Sequence, residues 1–407
     1  MDKLRVLHIL LGGTPRYRRY VTQLVLAIGR LEDAPAAMAL CDENPALERR
    51  AQAIRMPVEL MPPPEGYLAA RAAAAQARLA ARTFAPHLVH AHGLHAAYPA
   101  AAAAREALRA GTPCTLLVSS ERPDLSGPWW ARRALRCARC IGLISAPQPG
   151  QTAPAEIVHI EPGLDPRDFG GGIDLGIVMS ELQLNPYTLH FGMVADLEDE
   201  SCGAELFLAA AEQVLKRIPE VEFAIAGEGP LRPELEQRAH AAGILGSVRF
   251  VGARADIERF YAAMDVLVVP SLSTAFPWAL AEGLAAQVHI LASDLPEHRA
   301  VVPPQANVEF LPPGDVSALA RRILEIVRTP MDDDTEYAEV DAQSPTGPTL
   351  ARIEGSFKAY EISGDELVEI EPEGEKASPR REVLRRFNIA RAAADHVSLY
   401  RRLVGQP

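Results

Sequence analysis

Short apolar runs that alternate with helical stretches constrain this 407-residue chain more than any other feature. The runs are continuously apolar rather than alternating, which is typical of parallel strands covered on both faces by helices. Strands that alternate with helices predict a doubly wound α/β architecture. The predicted strands cover residues 4–10, 87–89, 115–119, 141–145, 157–160, 189–194, 223–226, 248–251, 266–269, 289–292 and 308–311.

A break in this pattern divides the chain into two predicted domains. Pro166 and the glycines at 170–172 interrupt any regular period, and a new strand begins shortly afterwards. We therefore predict an amino-terminal domain over residues 1–170, a linker over 171–187 and a second domain over 188–330. Open parallel sheets bind ligands at the carboxyl ends of their strands, so the two domains are expected to face each other across a cleft.

Three helices stand out between the strands. Residues 68–82 and 96–109 are rich in alanine and predict two surface helices. An amphipathic helix is expected after Gly203 and ends at Pro219. Apolar residues at helical spacing over 383–404 predict a long final helix within a terminal segment, 383–407, that needs a surface to cover.

The net charge of −12 belongs to one segment. Residues 332–375 hold 14 acidic and two basic side chains, and the rest of the chain is neutral. A neutral body gives no electrostatic reason to expect nucleic-acid binding. We predict an acidic insert over 331–382, either disordered or with a weak hairpin around 353–370, and regard it as a candidate site for a protein partner.

The remaining composition predicts a cytoplasmic protein. The five cysteines are too few for a disulfide framework, and no run has the apolar length of a membrane span. The start of the chain does not resemble a secretory signal. Cys137 and Cys140 form a C-x-x-C pair for which structural burial is the expected state.

Residues 227–270 read GEGPLRPELEQRAHAAGILGSVRFVGARADIERFYAAMDVLVVP and continue as SLSTAFPWALAEGLAAQVHILASDLPEHRAVV. The order of these motifs resembles the donor-binding domain of retaining glycosyltransferases of family 4, which have the GT-B fold. In the first half, VLHILLGG, LVHAHG and EPGLDPRDF are similar to the family's first glycine loop, acceptor-side histidine motif and hinge. The resemblance covers about residues 4–328 and 383–404.

The resemblance implies two Rossmann-like domains facing across a cleft, with the final helix crossing back to the first domain. It implies transfer of a hexose from a nucleoside diphosphate sugar to a glycan, lipid-linked or protein acceptor, as in polysaccharide biosynthesis. The nucleotide sugar is then a substrate, and no resident cofactor or tightly bound metal is expected.

The resemblance also assigns candidate site residues. Glu282 corresponds to a glutamate that accepts hydrogen bonds from the ribose, a role that suits a carboxylate facing a vicinal diol. Thr274 occupies the position of a second glutamate that contacts the donor sugar, and His92 matches the acceptor-side histidine. The G-x-G-P-L motif adds Gly227, Gly229, Pro230 and Leu231 as nucleotide-binding candidates.

Two of these features keep alternative interpretations. Gly12 and Gly13 follow the first strand, where they either let backbone N–H groups approach a diphosphate or simply form a tight turn. His92 either orients a substrate hydroxyl or is a hydrogen-bonded histidine at the cleft edge. His87, His90 and His95 lie nearby, but no carboxylate or cysteine completes a ligand set, so we do not expect a metal.

Several departures from the family pattern fall in the donor site. By alignment, Met193 and Cys202 stand where the family has an arginine and a lysine that bind the diphosphate, and Ala300 replaces a further glutamate. A developing negative charge needs nearby cations, which these residues do not supply. The segment carries acids instead: Asp196, Glu198, Asp199 and Glu200.

Two functions from different classes therefore remain. The first is an active hexosyltransferase, and the second is a catalytically inactive relative that binds a partner or a nucleotide as a scaffold or regulator. Basic aromatic patches at residues 16–20 and 129–136 suggest peripheral contact with the inner face of a membrane. Ordinary helix faces with extended arginines are the competing explanation.

Overall fold

The computed structural model describes residues 3–63, 66–121, 125, 127–144, 155–328 and 378–405, and the backbone of 359–363 and 366–370. The chain divides into two compact units. One unit comprises the residues up to Asp165 and those from Arg386 onward, and the other runs from Pro166 to Arg385. Each unit is built on its own parallel sheet, so the predicted fold class of two α/β domains is confirmed.

Seven strands form the sheet of the first unit: β1 (Arg5–Leu10), β2 (Ala36–Cys41), β3 (Val58–Leu60), β4 (Leu88–His92), β5 (Thr115–Ser120), β6 (Cys140–Leu143) and β7 (Glu156–His159). They are parallel and lie in the order β3-β2-β1-β4-β5-β6-β7. The sequence did not predict β2 or β3. The AAMALC run of β2 lacks β-branched residues, and β3 has only three residues, so neither carries a strand signal of its own.

Five helices connect these strands: α1 (Pro15–Ile28), α2 (Pro45–Ala51), α3 (Tyr67–Phe84), α4 (Leu94–Arg109) and α5 (Trp129–Ala134). The expectation that both alanine-rich helices lie at the surface is wrong for α4. Its alanines Ala97, Ala100 and Ala103 are completely buried, and α3 buries Ala73 and Ala77. Methyl side chains let the two helices pack closely, which explains the composition better than helix propensity alone.

The second unit has a six-stranded sheet, and its described residues from Pro166 to Arg328 contain seven α-helices. Its parallel strands lie in the order β10-β9-β8-β11-β12-β13. The elements are α6 (Leu175–Leu182), β8 (Leu189–Val194), α7 (Ala204–Leu215), β9 (Val221–Ala226), α8 (Arg232–Ala241), β10 (Val248–Gly252), α9 (Ile257–Ala263), β11 (Val266–Val269), α10 (Trp278–Ala285), β12 (His289–Ser293), α11 (Pro296–Val301), β13 (Val308–Leu311) and α12 (Val316–Arg328).

The predicted linker contains a helix. Within residues 171–187 the structure has α6, which begins where the Asp174 side chain accepts a hydrogen bond from Ile177 N. This helix packs against α9 and belongs to the second unit. The prediction treated the stretch as irregular because its glycines precede the helix, whereas the LGIVMSEL segment that follows them is itself apolar.

The predicted acidic insert is described only in part. Residues 359–363 and 366–370 form an antiparallel pair, β14 (Ala359–Ser363) and β15 (Glu366–Ile370), within the range predicted for a hairpin. Residues 331–358 lie outside the described residues, so the prediction of disorder and of a protein partner there stays a prediction.

The final segment forms two helices rather than one. α13 (Pro379–Arg386) precedes a break, and α14 (Ile389–Val404) begins after Asn388, whose side chain accepts hydrogen bonds from Ala390 N and Arg391 N. α14 belongs to the first unit, so the predicted return of the chain to that unit is confirmed. Backbone bonds from Leu164 N to Phe387 O and from Ile389 N to Leu164 O fix the start of the helix.

Gly163 makes this junction possible, which gives a test of it. A Cβ at Gly163 would lie 2.5 Å from the Cα of Ile389, so Gly163→Ala forces backbone atoms apart. We expect a loss of about 1–3 kcal/mol in the free energy of unfolding, measured by urea titration. Gly246→Ala is the control, since a Cβ there meets no atom within 4 Å. Equal stability of the two variants would contradict the junction.

Candidate functional site

Three loops meet at the carboxyl ends of the strands in the second unit, and glycines set their spacing. A Cβ at Gly227 would lie 1.8 Å from the carbonyl oxygen of Ala195, and one at Gly229 would lie 2.2 Å from that of Leu197. The loop after β9 can therefore touch the loop after β8 only because these residues have no side chain. Leu231 N also donates to Leu197 O over 3.1 Å.

The loop after β11 joins the same group. Leu272 N donates to Ser201 O over 2.8 Å, and the backbone at Gly203 comes so close to Pro270 that a Cβ would lie 2.4 Å from the Pro270 carbonyl oxygen. Thr274 is exposed on this loop. The structure thus brings the loop of Thr274 together with those of the G-x-G-P-L motif, as one edge of a parallel sheet requires. Their roles in binding stay predictions.

Glu282 lies in α10, which follows the third loop. Its side chain is only 4% exposed. Its neighbour Gly283 allows α10 to approach the sheet, because a Cβ there would lie 2.5 Å from Leu267 Cδ2. Tyr261 Oη donates a hydrogen bond to Glu282 Oε2 over 2.7 Å. A buried carboxylate is costly unless hydrogen-bonded, so this pair is a built feature rather than a solvated helix glutamate.

Met193 does not lie at this edge of the sheet, so the alignment that matched it to a diphosphate-binding arginine is wrong. It lies within β8, is 1% exposed and belongs to the core of the second unit. An arginine at this position would be a buried charge, not a phosphate ligand. The first charged side chain after the strand is Asp196. Cys202 is half-buried, and burial raises the pKa of its thiol.

Two arginines of the second unit, Arg254 and Arg299, already have carboxylate partners. Arg254 makes two bonds to Asp256, of 3.0 and 2.9 Å. Arg299 bonds both oxygens of Asp294 and lies 4.4 Å from the centre of the Phe310 ring. A cation that is already neutralised in this way contributes less to a diphosphate than a free one would.

The Gly12–Gly13 turn also has an anion from the chain itself. Both glycines have positive φ, and Gly12 N donates to Asp42 Oδ2 over 3.1 Å. Asp42 Oδ1 accepts a second bond, of 2.8 Å, from Arg18. A phosphate bound at this turn would have to replace the Asp42 carboxylate. The basic aromatic patch predicted at 16–20 is wrong as a surface, because its two tyrosines are buried.

His92 is buried within a group of imidazoles in the first unit. His92 Nε2 lies 3.0 Å from His8 Nδ1, and His90 bonds the Tyr400 hydroxyl over 2.7 Å and the Ser119 hydroxyl over 2.5 Å. Sequence reasoning missed His8 because it lies on β1, far from the histidines of β4 along the chain. Tyr400 comes from α14, so the terminal helix completes the group.

These imidazoles are neutral. Burial lowers the pKa of His8 to about 3 and lowers the pKa of His90 and His92 well below the ordinary value. Ligand-capable atoms of the three side chains lie within 4.8 Å of one another, so His8 supplies the third ligand that the sequence lacked. Both nitrogens of His90 are already bonded to hydroxyls, however, and a metal would have to displace one of these bonds. The prediction of no metal stays a prediction.

An aromatic surface lies on the first unit where α3 and α5 begin. We define it by Tyr67, Leu68 and Trp129, which are 39%, 78% and 63% exposed. The rings of Tyr67 and Trp129 are 5.1 Å apart. Arg132 and Arg133 follow Trp129 at helical spacing and share its side of α5. Trp130, which the sequence placed in the same patch, is buried in the core instead.

Of the helices in the described residues, none is both long and apolar enough to cross a bilayer.

The C-x-x-C pair is not positioned for redox chemistry. Cys140 is buried in β6, where burial raises the pKa of its thiol to about 11. Cys137 Sγ accepts a bond of 2.8 Å from Arg105. Both thiols are free, Cys140 is buried and Cys137 is half-buried, so the expectation of structural burial is confirmed for Cys140 alone.

Comparison with known proteins locates a family domain in the second unit. The family model described as glycosyl transferases group 1 matches residues 188–329. The phosphatidyl-myo-inositol mannosyltransferase of Mycolicibacterium smegmatis is 28% identical over 171 residues, which cover 40% of this chain and 44% of that protein. The lipopolysaccharide core mannosyltransferase LpsB of Rhizobium meliloti is 27% identical over 138 residues, 33% of this chain and 39% of LpsB. The chain thus spans less than half the length of these relatives.

Solved structures resemble the whole chain. The Anabaena protein HepE, in complex with UDP and glucose, has a TM-score of 0.70 and 18% identity and covers 98% of this chain and 100% of its own. The sucrose-phosphate synthase of Thermosynechococcus elongatus has a TM-score of 0.68 and 17% identity, with coverage of 99% and 100%. These likenesses show that the chain has the GT-B fold, and they confirm that element of the sequence analysis.

The buried imidazoles predict that acid destabilises the protein. The pKa values of His8, His90, His92 and His396 are all lowered by burial, so these groups bind protons only after unfolding. The stability they allow is complete above about pH 6.5, the ordinary pKa of histidine, and is lost as the pH falls below it. Each group adds about 1.4 kcal/mol per pH unit to the slope.

Urea titrations between pH 7 and pH 5 measure this slope above the range in which carboxylates titrate. His8→Gln is expected to reduce the slope by about one proton. The control is His240→Gln, which changes an exposed histidine of α8 that lies outside the buried group. A free energy of unfolding that does not fall between pH 6.5 and pH 5 would contradict the burial of neutral imidazoles.

Proposed function

We propose that the protein is a glycosyltransferase that moves a hexose from a nucleoside diphosphate sugar to a glycan, lipid-linked or protein acceptor, with retention of configuration. The group 1 domain over residues 188–329 and the mannosyltransferase relatives support this assignment. The observation that carries it is the buried carboxylate of Glu282 in α10, the helix that follows the third of the loops meeting at the carboxyl edge of the sheet.

Each part of the donor has a candidate partner in this arrangement. Glu282 accepts hydrogen bonds from the ribose, and the Thr274 hydroxyl contacts the hexose. The diphosphate lies against helix amino termini, since α7 and α10 begin at Gly203 and Pro277 without a side-chain cap. Uncapped N–H groups and the helix dipole favour an anion. The ring of His92 is buried, so it acts on the acceptor side only through the neighbouring buried histidines, His8 and His90.

A second function keeps one specific observation in its favour. The loop after β8 carries four acids close to where the diphosphate would lie, and the nearby Arg254 and Arg299 are paired. A protein with this charge arrangement could bind a nucleotide weakly without turning over its sugar. It would then act as a scaffold or regulator, and turnover separates this function from the first.

Titration calorimetry with UDP, GDP and their hexose conjugates, followed by an assay for release of nucleoside diphosphate, tests the proposal. The double variant Asp196→Arg with Cys202→Lys should tighten UDP binding by about thirtyfold, since each of the two new cations contributes about 1 kcal/mol at a partly exposed site. Glu220→Arg is the control, because this exposed residue precedes β9 at the opposite end of the strands.

The outcomes separate the two functions. Turnover of a nucleotide sugar by the unaltered protein supports the transferase, and binding without turnover supports the scaffold. If no nucleotide binds and the double variant does not change this, the donor site as proposed is wrong.

We further propose that the aromatic surface rests on the inner face of an anionic membrane, where a lipid-linked acceptor would be reached. Aromatic side chains favour the interfacial region of a bilayer, and the arginines beside Trp129 favour acidic headgroups. Burial and a hydrogen bond with Tyr67 raise the pKa of Tyr98, whereas the positive charges of Arg78 and Arg71 lower it. These two arginines of α3 therefore lie near the aromatic surface and extend its positive charge.

Sedimentation with vesicles tests this surface. The protein is expected to bind vesicles that contain phosphatidylglycerol and not those of phosphatidylcholine alone. The double variant Leu68→Ser with Trp129→Ser should weaken binding by about tenfold or more, because each side chain contributes on the order of 1 kcal/mol on burial. Tyr187→Ser is the control, since Tyr187 is 81% exposed in the second unit. An equal effect of both changes would exclude the aromatic surface.

A further inference from the structure

A tyrosine hydroxyl that the sequence analysis did not single out holds the carboxylate proposed to bind the ribose. Tyr261 lies in α9 and is completely buried, and its Oη is 2.7 Å from Glu282 Oε2. Because a phenol can only donate to an ionised carboxylate, the direction of the bond is fixed. Hydrogen bonds to a charged acceptor are stronger and more directional than neutral ones.

The two helices that carry this pair are each held independently. On α9, Arg259 is 3.1 Å from Glu181 of α6 and 3.3 Å from Asp256, and Phe260 is completely buried. On α10, Gly283 packs directly against the Leu267 side chain. The distance from the hydroxyl to the carboxylate is therefore set by packed helices rather than by a mobile loop, and the carboxylate has a defined rotation.

That rotation matters for recognition of a vicinal diol. The two ribose hydroxyls can both donate to one carboxylate only if its plane is correctly turned. The bond from Tyr261 does not use up the acceptor, because each carboxylate oxygen has two lone pairs. Without the Tyr261 hydroxyl, the Glu282 carboxylate loses the hydrogen bond at Oε2 that restrains its rotation about the last side-chain bond.

We propose that Tyr261 is a positioning residue for donor binding: its hydroxyl orients the Glu282 carboxylate toward the ribose hydroxyls. The inference rests on the proposed function, since it assumes that a nucleotide binds at Glu282. A positioning role for Tyr261 differs from a purely structural role in one measurable respect. Loss of a purely structural contact would weaken all nucleotides equally, whereas loss of orientation weakens only those that have ribose hydroxyls.

Tyr261→Phe tests the difference, because it removes the hydroxyl and keeps the ring that packs in the core. The probes are UDP and 2′,3′-dideoxyuridine diphosphate, titrated by calorimetry. The unaltered protein is expected to prefer UDP by about tenfold or more, as for a charge-assisted hydrogen bond. The variant should lose most of this preference while its affinity for the dideoxy compound stays the same. Tyr20→Phe, a buried tyrosine of the first unit, should keep the preference.

The outcomes distinguish the two levels of the argument. A folded Tyr261→Phe variant that still prefers UDP as the unaltered protein does overturns the positioning role and leaves nucleotide binding intact. Absence of UDP binding by the unaltered protein overturns both this role and the proposed function.

If the Tyr261→Phe variant does not fold, a second comparison tests the same proposal. Tyr261→Phe with Glu282→Gln removes the buried charge together with the hydroxyl that bonds it, so the preference of this double variant for UDP can be compared with that of Glu282→Gln alone. Equal preferences support action through Glu282. A further loss in the double variant overturns it, since Tyr261 would then act on the ribose by another route.

Discussion

Parallel strand pairing is the constraint on which the candidate site depends. All strands of the second sheet run in the same direction, so the loops after β8, β9 and β11 emerge at one edge. Glycine then sets how closely they approach, because Gly203, Gly227 and Gly229 each place backbone where a Cβ would collide with a carbonyl of the adjacent loop. The helix that follows the third loop carries Glu282, so the position of the proposed ribose ligand follows from the sheet rather than from a flexible segment.

The fold could be predicted from the sequence because its signals are local. Continuous apolar runs marked eleven of the parallel strands, whereas β2 and β3 escaped because an alanine-rich run and a three-residue strand carry no such signal. The site was less predictable because its contacts are distant along the chain. Nothing near His92 indicates His8, nothing near Glu282 indicates Tyr261, and only the structure shows that Met193 lies in the core.

The charges of the molecule form a consistent pattern around both candidate anion sites. Asp42 occupies the N–H of Gly12 and the guanidinium of Arg18, where a phosphate was considered. In the second unit, Asp256 and Asp294 neutralise the nearby arginines Arg254 and Arg299. A donor diphosphate would therefore depend on backbone N–H groups more than on side-chain cations. In the proposed donor complex, contacts to the ribose and the sugar would then supply most of the affinity. The hydrogen bonds between Glu282 and the ribose, and therefore the orientation of its carboxylate, would matter more.

The membership of α14 in the first unit affects the order in which the protein can fold. Its Tyr400 is completely buried and bonds His90, so the core of the first unit stays incomplete until this helix is present. During synthesis the helix emerges only after the whole of the second unit. The second unit can therefore fold as each segment leaves the ribosome, while the first, although its sheet is made earlier, must wait with an uncovered sheet face until α14 has been made. In such a chain the domain that begins first is completed last.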